Sequence, residues 1–469
     1  MVVPNRAFRM AWQKAGATSA PAGRKRVLSL SATAILSVLL LTQAGVALAQ
    51  GSPQLPTQNQ RDPRRLPNSA NVTKEATPER DVEGRDDEDR VADAYQPKGI
   101  ELGSFLLLPQ LETDVMYNTN VFAQENDGKS DFIARIAPEL KLRSRFATHA
   151  VNITARAEQF LFKTYSQDNH LDAGVTVDGR YDLARGSELT DLFDIAQRYE
   201  DRGSPDASGG KRPTRTRSLQ NNFGGKHQAG RYTFSGELAT ARRVFDDVTT
   251  ESGSIINNSD RDRWENSLTL RGGYEMFPGY SAVVEVSGNN RRYDDQLDDA
   301  GFNRSSTGYR AATGIGVDIS QLIRGDFLVG YYQQDYRDAR LKDPSGLSFR
   351  AIFNWTPSRL TVIVPSLERT VLETTQGNAS AMVRSGVNLL VRHEYQRNIV
   401  LTGIGSVNYD EFEGINRSAW TYEARGRVVY AFNPEVYVGG EIGYRQRDSE
   451  LAGQSYQQLV TLARLGLRM

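Results

Sequence analysis

The 469-residue sequence contains no cysteine and only four histidines, His149, His170, His227 and His393. The first absence excludes a disulfide framework and thiolate metal sites. The second leaves little for a histidine metal centre, and no two of these residues have ligand spacing on a shared face. An excess of either charge is lacking as well. The 57 basic residues balance 57 acidic ones, so there is no electrostatic case for a nucleic-acid partner. Beyond the N-terminal region no long apolar run exists; hydrophobic residues make up 39% and the mean hydropathy is -0.52. Together these exclude a bundle of membrane-spanning helices.

What the sequence does have is a period of two. Between Arg261 and Asp295, Trp264, Asn266, Leu268, Leu270, Gly272, Tyr274 and Met276 fall on one side of an extended chain. Glu265, Ser267, Thr269, Arg271, Gly273 and Glu275 fall on the other. After Phe277-Pro278-Gly279 the pattern returns, with Tyr280, Ala282, Val284, Val286 and Gly288 against Ser281, Glu285, Ser287, Asn289 and Arg291. Such alternation marks strands whose faces meet different solvents. Each arm has the roughly 9–11 residues that a tilted strand needs to cross a bilayer. A barrel of such strands is polar on average, because alternate residues face water in the lumen.

The chain divides into three parts. Residues 1–49 read as a secretory signal peptide: Arg24, Lys25 and Arg26, the apolar run Val27 to Leu41, then Ala47-Leu48-Ala49 as a cleavage site. A single helical anchor is the alternative for that run, and Met10 is an alternative start. Residues 50–98 are a disordered periplasmic linker, rich in proline and mixed charge with few aromatics. A plug in the lumen, or a docking segment for a partner, is the other use for it. Residues 99–469 carry a regular series of about 18 alternating strands. The expected fold is therefore an all-β, antiparallel up-and-down transmembrane barrel.

The connections support this. Short ones (Ala184 to Ser187, Phe277 to Gly279, Thr356 to Arg359, Glu394 to Asn398, Asn433 to Glu435) alternate with long ones. The long ones are Asp201 to Pro213, Val244 to Asp260, Asp294 to Arg304, Asp338 to Gly346 and Asp410 to Arg417. Outer-membrane barrels have short periplasmic turns and longer extracellular loops, so both termini are expected in the periplasm. The final strand places Ala463, Leu465, Leu467 and Met469 on the lipid side, resembling the signal read by the barrel-assembly machinery. Met469 stands where an aromatic is usual. Trp264, Tyr274, Tyr280, Trp355, Trp420 and Tyr430 lie near strand ends and suit aromatic girdles.

Several stretches resemble one family. They are Tyr95-Gln96-Pro97-Lys98-Gly99-Ile100 with Leu102 to Pro109, Tyr117-Asn118-Thr119-Asn120-Val121-Phe122-Ala123, Glu200 to Asp206, Ile256 to Asp262, and Gly330 to Tyr336. The chain from Tyr95 to Met469 resembles the outer-membrane β-barrel porins of the putative β-barrel porin 2 group of Gram-negative bacteria. In Tyr117 to Ala123, Asn118 and Thr119 replace the family's usual acidic pair. The resemblance implies an outer-membrane location and a link to exopolysaccharide production and export.

The residues admit three classes of function. The first is a channel for hydrophilic solutes through a polar lumen, with no cofactor and no covalent step. Its lumen-facing candidates are Asp178, Arg180, Arg271, Glu285, Glu423, Arg425, Arg427, Glu441, Arg445, Arg464 and Arg468. Rows of both signs can set a transverse field, and the long Val244 to Asp260 loop is the expected constriction. The second is a closed barrel that serves as an envelope scaffold or binds partners. The third is an outer-membrane enzyme centred near His170 beside Ser166, Asp168 and Asp172, but adjacency in sequence is not a catalytic constellation, so no enzyme is expected. Acidic loops at Asp246-Asp247 and Asp294 to Asp299 could offer calcium oxygens, without EF-hand spacing. Expected partners are outer-membrane lipid and lipopolysaccharide, the assembly machinery, and polysaccharide or export-system components.

Overall fold

The computed structural model describes residues 95–207, 209–319 and 322–469. The expected signal peptide and nearly all of the linker lie outside the described residues. Nineteen strands form one sheet. Eighteen of them make the wall and the short Ile100–Leu102 is the other. The wall strands are β1 Phe105–Asn118, β2 Asp131–Ser144, β3 Ala150–Phe162, β4 His170–Ala184, β5 Ser187–Tyr199, β6 Arg215–Ala229, β7 Tyr232–Phe245, β8 Arg263–Phe277 and β9 Tyr280–Tyr293. The series continues with β10 Ser306–Ile319, β11 Ile323–Tyr336, β12 Ser345–Ser358, β13 Thr361–Glu373, β14 Ala381–Gln396, β15 Ile399–Phe412, β16 Ser418–Ala431, β17 Val436–Ser449 and β18 Tyr456–Arg468. Each strand pairs antiparallel with its sequence neighbours, and β18 pairs with β1, so the barrel is closed.

The period of two becomes two surfaces. On β9, Val284 and Val286 are exposed on the outside, while Glu285 and Ser287 are buried inside. The outward row of β18 exposes Leu465, Leu467 and, beyond its end, Met469. Trp264, Tyr274, Trp355, Trp420 and Tyr430 are exposed as girdle residues should be; Tyr280 is half-buried. The connections alternate in length as expected, so one end carries short turns and the other long loops. Several connections are shorter than expected: Val244 and Phe245, Ser345 and Gly346, and Thr356 to Ser358 are strand, and Asp410 to Phe412 belong to β15, because Asp410 and Glu411 stay in register with Ala419 and Ser418. Only residues 413–417 remain as a loop there.

The seam between first and last strands explains two of the sequence stretches. Gln110 to Asn118 pair with Arg468 to Val460. Below that, Ile100–Leu102 pairs with Leu107 to Phe105 and extends the ladder along β1. Arg468 donates to the carbonyl of Tyr95 at 2.8 Å, tying this entry segment to the end of the chain. At the loop end, the Thr119 hydroxyl accepts from the Leu459 amide at 2.9 Å, and Asn120 donates to the carbonyls of Gln124 and Gln457. The Tyr117 to Ala123 stretch is thus the clasp that closes the cylinder.

Two places depart from a plain cylinder. Gly466 faces inward, and the Tyr437 ring fills the space its side chain would take: a Cβ there would lie 2.1 Å from a ring carbon. Tyr437 in turn donates to Glu112 at 2.6 Å. The second is between β12 and β13, where the ladder reaches Arg350↔Glu368 and goes no further toward the loops. Beyond it β13 remains paired with β14 up to Glu373↔Ala381.

Gly466→Val forces a rigid, anchored ring out of place, and overpacking of this kind costs about 1–3 kcal/mol. The folded band of the refolded barrel is expected to convert to the unfolded one at lower temperature on a heat-modifiability gel. Gly403→Ala, with nothing within 4 Å of its Cβ, should leave the conversion temperature unchanged.

Candidate functional site

The lumen contains a cavity of about 1420 Å³ lined by side chains from β2 through β18. It runs from Lys141, Arg180, Glu188 and Lys226 near the short turns up to Glu200, Asp206 and Thr374 at the loop end. Of the candidates, Asp178, Arg180, Arg271, Glu285, Glu423, Arg425 and Arg445 line this cavity, and the set falls into separate groups. Glu285 is held by Arg310 at 2.5 Å, Arg350 at 2.7 Å and Arg271 at 3.5 Å, while Arg271 also reaches Asp326 at 2.6 Å. On the far wall Glu423, Arg425, Arg427, Glu441 and Arg445 form a ladder, with Arg427 to Glu441 at 2.6 Å and Arg425 to Glu423 at 2.5 Å. Arg464 pairs with Asp114 at 2.8 Å and Glu112 at 3.1 Å beside the seam. Asp178 accepts from Asn152 at 2.7 Å, and Arg180 pairs with Asp182 at 3.3 Å. Arg468 sits at the short-turn end, over the Tyr437 ring.

The narrowing of the lumen comes from two segments. The first is the loop 200–214 between β5 and β6. It crosses to other walls: Asp201 meets Arg445 of β17 at 3.1 Å, and the Gly203 carbonyl lies 3.5 Å from the Tyr456 hydroxyl of β18. The second is the loop end of the β13–β14 hairpin. β9 and β13 are four strands apart, roughly 19 Å around the wall at the usual strand spacing. Yet Tyr293 of β9 donates to Glu373 at 2.5 Å, and Arg291 of β9 pairs with Glu373 and donates to the Val371 carbonyl at 3.0 Å. The hairpin has therefore left the wall and lies against the inner faces of β9 and β11.

Apolar and polar contacts hold it there. Val371, Ala381 and Val383 pack on Tyr332, Tyr336 and Leu341. Arg304, 2% exposed, donates to the carbonyls of Thr374, Ala379 and Gly377 around the hairpin tip. The two segments then meet. Thr374 donates to Asp206 at 2.6 Å, and Gln376 donates to the Pro205 carbonyl at 3.0 Å.

The expected constriction by the Val244 to Asp260 segment is not what forms. That segment turns back on itself as a small ribbon, Val248–Thr249 with Ile255–Ile256. It braces the loop that enters: the Lys211 amide donates to the Thr249 carbonyl at 2.6 Å, and Arg261 pairs with Glu200. Length favoured the wrong loop. Residues outside the sequence candidates are Glu200, Arg261, Arg291, Arg304, Glu373 and Arg447, of which Arg291 already stood in the row of Glu285. For Arg447 a signal existed, since it lies two residues from Arg445 and so on the same face.

The histidines have local roles. His170 stacks on Phe160 with centroids 4.7 Å apart, and its Nδ1 lies 2.6 Å from the Asp168 carbonyl. Asp168 is engaged by Arg202 at 2.7 Å. Near the short turns His149 stacks on Tyr181, His227 bonds Ser187 and His393 bonds Thr361. In the acidic loops Asp294 is held by Arg242, Asp298 by Arg304, Asp246 by Arg215 and Arg217, and Asp299 by Asn257. Among the described residues no group of three or more histidines and carboxylates could hold a metal ion.

A sequence model of the family described as putative beta-barrel porin 2 matches residues 93–469. Nothing among curated proteins matches. Among solved structures, the outer-membrane protein opdK of Pseudomonas aeruginosa is 12% identical, with 77% of this chain and 99% of that chain covered and a TM-score of 0.38. OccAB3 of Acinetobacter baumannii is 8% identical, covering 78% and 100%, with a TM-score of 0.41. A BenF-like porin of Pseudomonas fluorescens Pf-5 is 9% identical, covering 78% and 100%, also at 0.41. At such distances, solute and selectivity have to be read from this chain's own residues.

The contact between the two segments carries a pH dependence. Burial pushes the Asp206 carboxyl above its ordinary 3.8, against the opposing pull of Arg261 and the Thr374 hydroxyl. Glu200 and Arg263 also act on it, and Arg417 feels it from the far side. A raised value means that the docked loop binds the proton more tightly than a released one, so docking is strongest below 3.8 and weakens as pH rises through the raised value. Channel noise from loop movement is expected to grow over that window and then level off. Asp206→Asn should flatten the profile; an unchanged profile would assign the effect elsewhere.

Proposed function

Because this chain belongs to the family of putative beta-barrel porin 2, we propose that it passes hydrophilic solutes across the outer membrane by diffusion, with its long-loop end narrowed from within. The observation that carries the reading is a cavity lined by charged side chains of both signs inside a closed eighteen-strand wall. An interior of that perimeter is too wide for side chains alone to fill, so it holds water. Charges of both signs line it in paired groups, which lets a solute exchange hydrogen bonds with the wall rather than meet one fixed field.

The short turns face the periplasm in this proposal and the long loops face outward, with both termini periplasmic after removal of residues 1–49. The outward rows contact lipid and lipopolysaccharide, and the row Ala463, Leu465, Leu467 and Met469 is offered to the assembly machinery. The resemblance adds exopolysaccharide export as the process served, with oligosaccharides as the solutes to try first. One observation favours a second reading, a closed barrel that acts as a scaffold. The Thr374–Asp206 and Gln376–Pro205 bonds join segments from opposite sides of the lumen.

Planar-bilayer recording of the refolded chain from Gln50, with and without residues 50–94, separates the two. Stable ohmic steps are expected from the full chain, and added oligosaccharides should block them. Glu373→Ala removes the carboxylate that bonds Arg291, Tyr293 and Tyr336; breaking a buried pair of this kind costs about 3–5 kcal/mol, and the change should raise conductance by freeing the hairpin. Steps seen only after deletion would make the linker a plug. Silence in every variant, with folding shown by gel mobility, would leave the scaffold.

A further inference from the structure

The loop end of the β14–β18 wall holds more arginine than its carboxylates can partner. Arg384 and Asp410 form a closed bidentate pair, with Nε to Oδ1 at 2.5 Å and Nη2 to Oδ2 at 2.7 Å, and Asp410 is fully buried. Arg445 is shared between Asp201 at 3.1 Å and Glu423 at 3.5 Å. Beside these pairs lie Arg447, 3% exposed, and Arg417, 8% exposed. Among the described residues neither has a carboxylate within the 4.0 Å of an ion pair. Arg417 is fixed on neutral groups, the Gln376 amide oxygen at 3.2 Å, the Gln454 amide oxygen and the Phe412 ring.

The donors left over point to a ligand. Arg447 Nε and Nη2, Arg445 Nε and Arg417 Nε are buried with no hydrogen-bond partner among the described residues. Arg447 is inward on β17, in register with Thr421 of β16 and Tyr456 of β18, and all three line the cavity. Arg445 lines it as well. A buried guanidinium without a counter-charge is unfavourable unless something negative reaches it. Its planar fork matches two oxygens of one acid group. The loop 200–214 reaches this part of the wall, where its Asp201 and Gly203 touch Arg445 and Tyr456.

We propose that Arg447, flanked by Arg445 and Arg417, is an oxyanion subsite of the lumen that takes the carboxylate or phosphate group of a passing solute. The inference refines the channel reading by giving the solute an acidic group. With Asp410 taken up by Arg384, Arg447 is left without a carboxylate in ion-pair contact among the described residues. A solute seated there touches the wall just below the place where loop and hairpin meet.

The test is titration calorimetry of the refolded chain in detergent, with inorganic phosphate and with succinate as separate probes. Saturable binding of at least one probe is expected, and which probe binds identifies the group. Arg447→Gln should weaken it at least tenfold, and Arg447→Lys should weaken it in part by keeping charge without the fork. Arg145→Gln, in the short turn after β2 and paired with Glu101 outside the cavity, should leave it unchanged. No saturable binding to the folded wild type, equal binding by Arg447→Gln, or equal weakening by Arg145→Gln would each overturn the subsite, the last by showing diffuse attraction only. If Arg447→Gln does not fold, the lysine variant decides alone. A barrel that binds but is silent in bilayers would sink conduction and keep the subsite; one that conducts without binding would do the reverse.

Discussion

In a bilayer no backbone amide or carbonyl can be left facing lipid, because hydrocarbon offers it no partner and each unsatisfied group costs several kcal/mol. That constraint orders the whole molecule. It requires β18 to meet β1, and the chain uses its own entry segment, Ile100–Leu102, to extend the ladder where β18 ends. It also fixes where the wall can be irregular. The β12–β13 ladder ends at Arg350↔Glu368 on the loop side, and the hairpin that parts from it turns inward, where lumen side chains supply partners.

The lumen then works under the opposite rule. Charges there are desolvated enough to need partners but are not sealed, so they form networks instead of isolated pairs. Glu285 serves three arginines from three strands, and Glu373 serves Arg291 and two tyrosines. Networks of this kind are weak evidence for stability, since apolar replacements are often as stable. Their use here is positional: Glu373 specifies where the hairpin lies, and Glu200 with Arg261 specifies where the entering loop turns.

The wall was legible in the sequence because its two faces meet different solvents, which writes the alternation into every strand. It blurs at β5 and β6, where the outward rows carry Asp191, Gln197, Arg217 and Asn221; Asn221 and Asp191 bond each other at 2.6 Å on that outer face. Parity puts Arg271, Glu285 and Arg445 on the polar rows of their strands, and these three line the cavity. Parity could not say which charges meet, because Tyr293 with Glu373 or Asp206 with Thr374 are encounters across the lumen between distant parts of the chain. The entering loop was visible only as the stretch Glu200 to Asp206 that resembled a family. Loop length pointed instead to Val244 to Asp260, which proved to be a brace.

The inward hairpin gives this barrel something a water-filled cylinder otherwise lacks, an apolar core. Val371, Ala381 and Val383 are hidden against Tyr332, Tyr336 and Leu341. Lifting the hairpin would wet those surfaces, and wetting apolar surface raises heat capacity. A balance between a docked and a lifted hairpin would therefore be curved in temperature, with docking weakened on cooling as well as on heating. Thermally, this end of the barrel would behave like a small folding domain set inside a membrane wall.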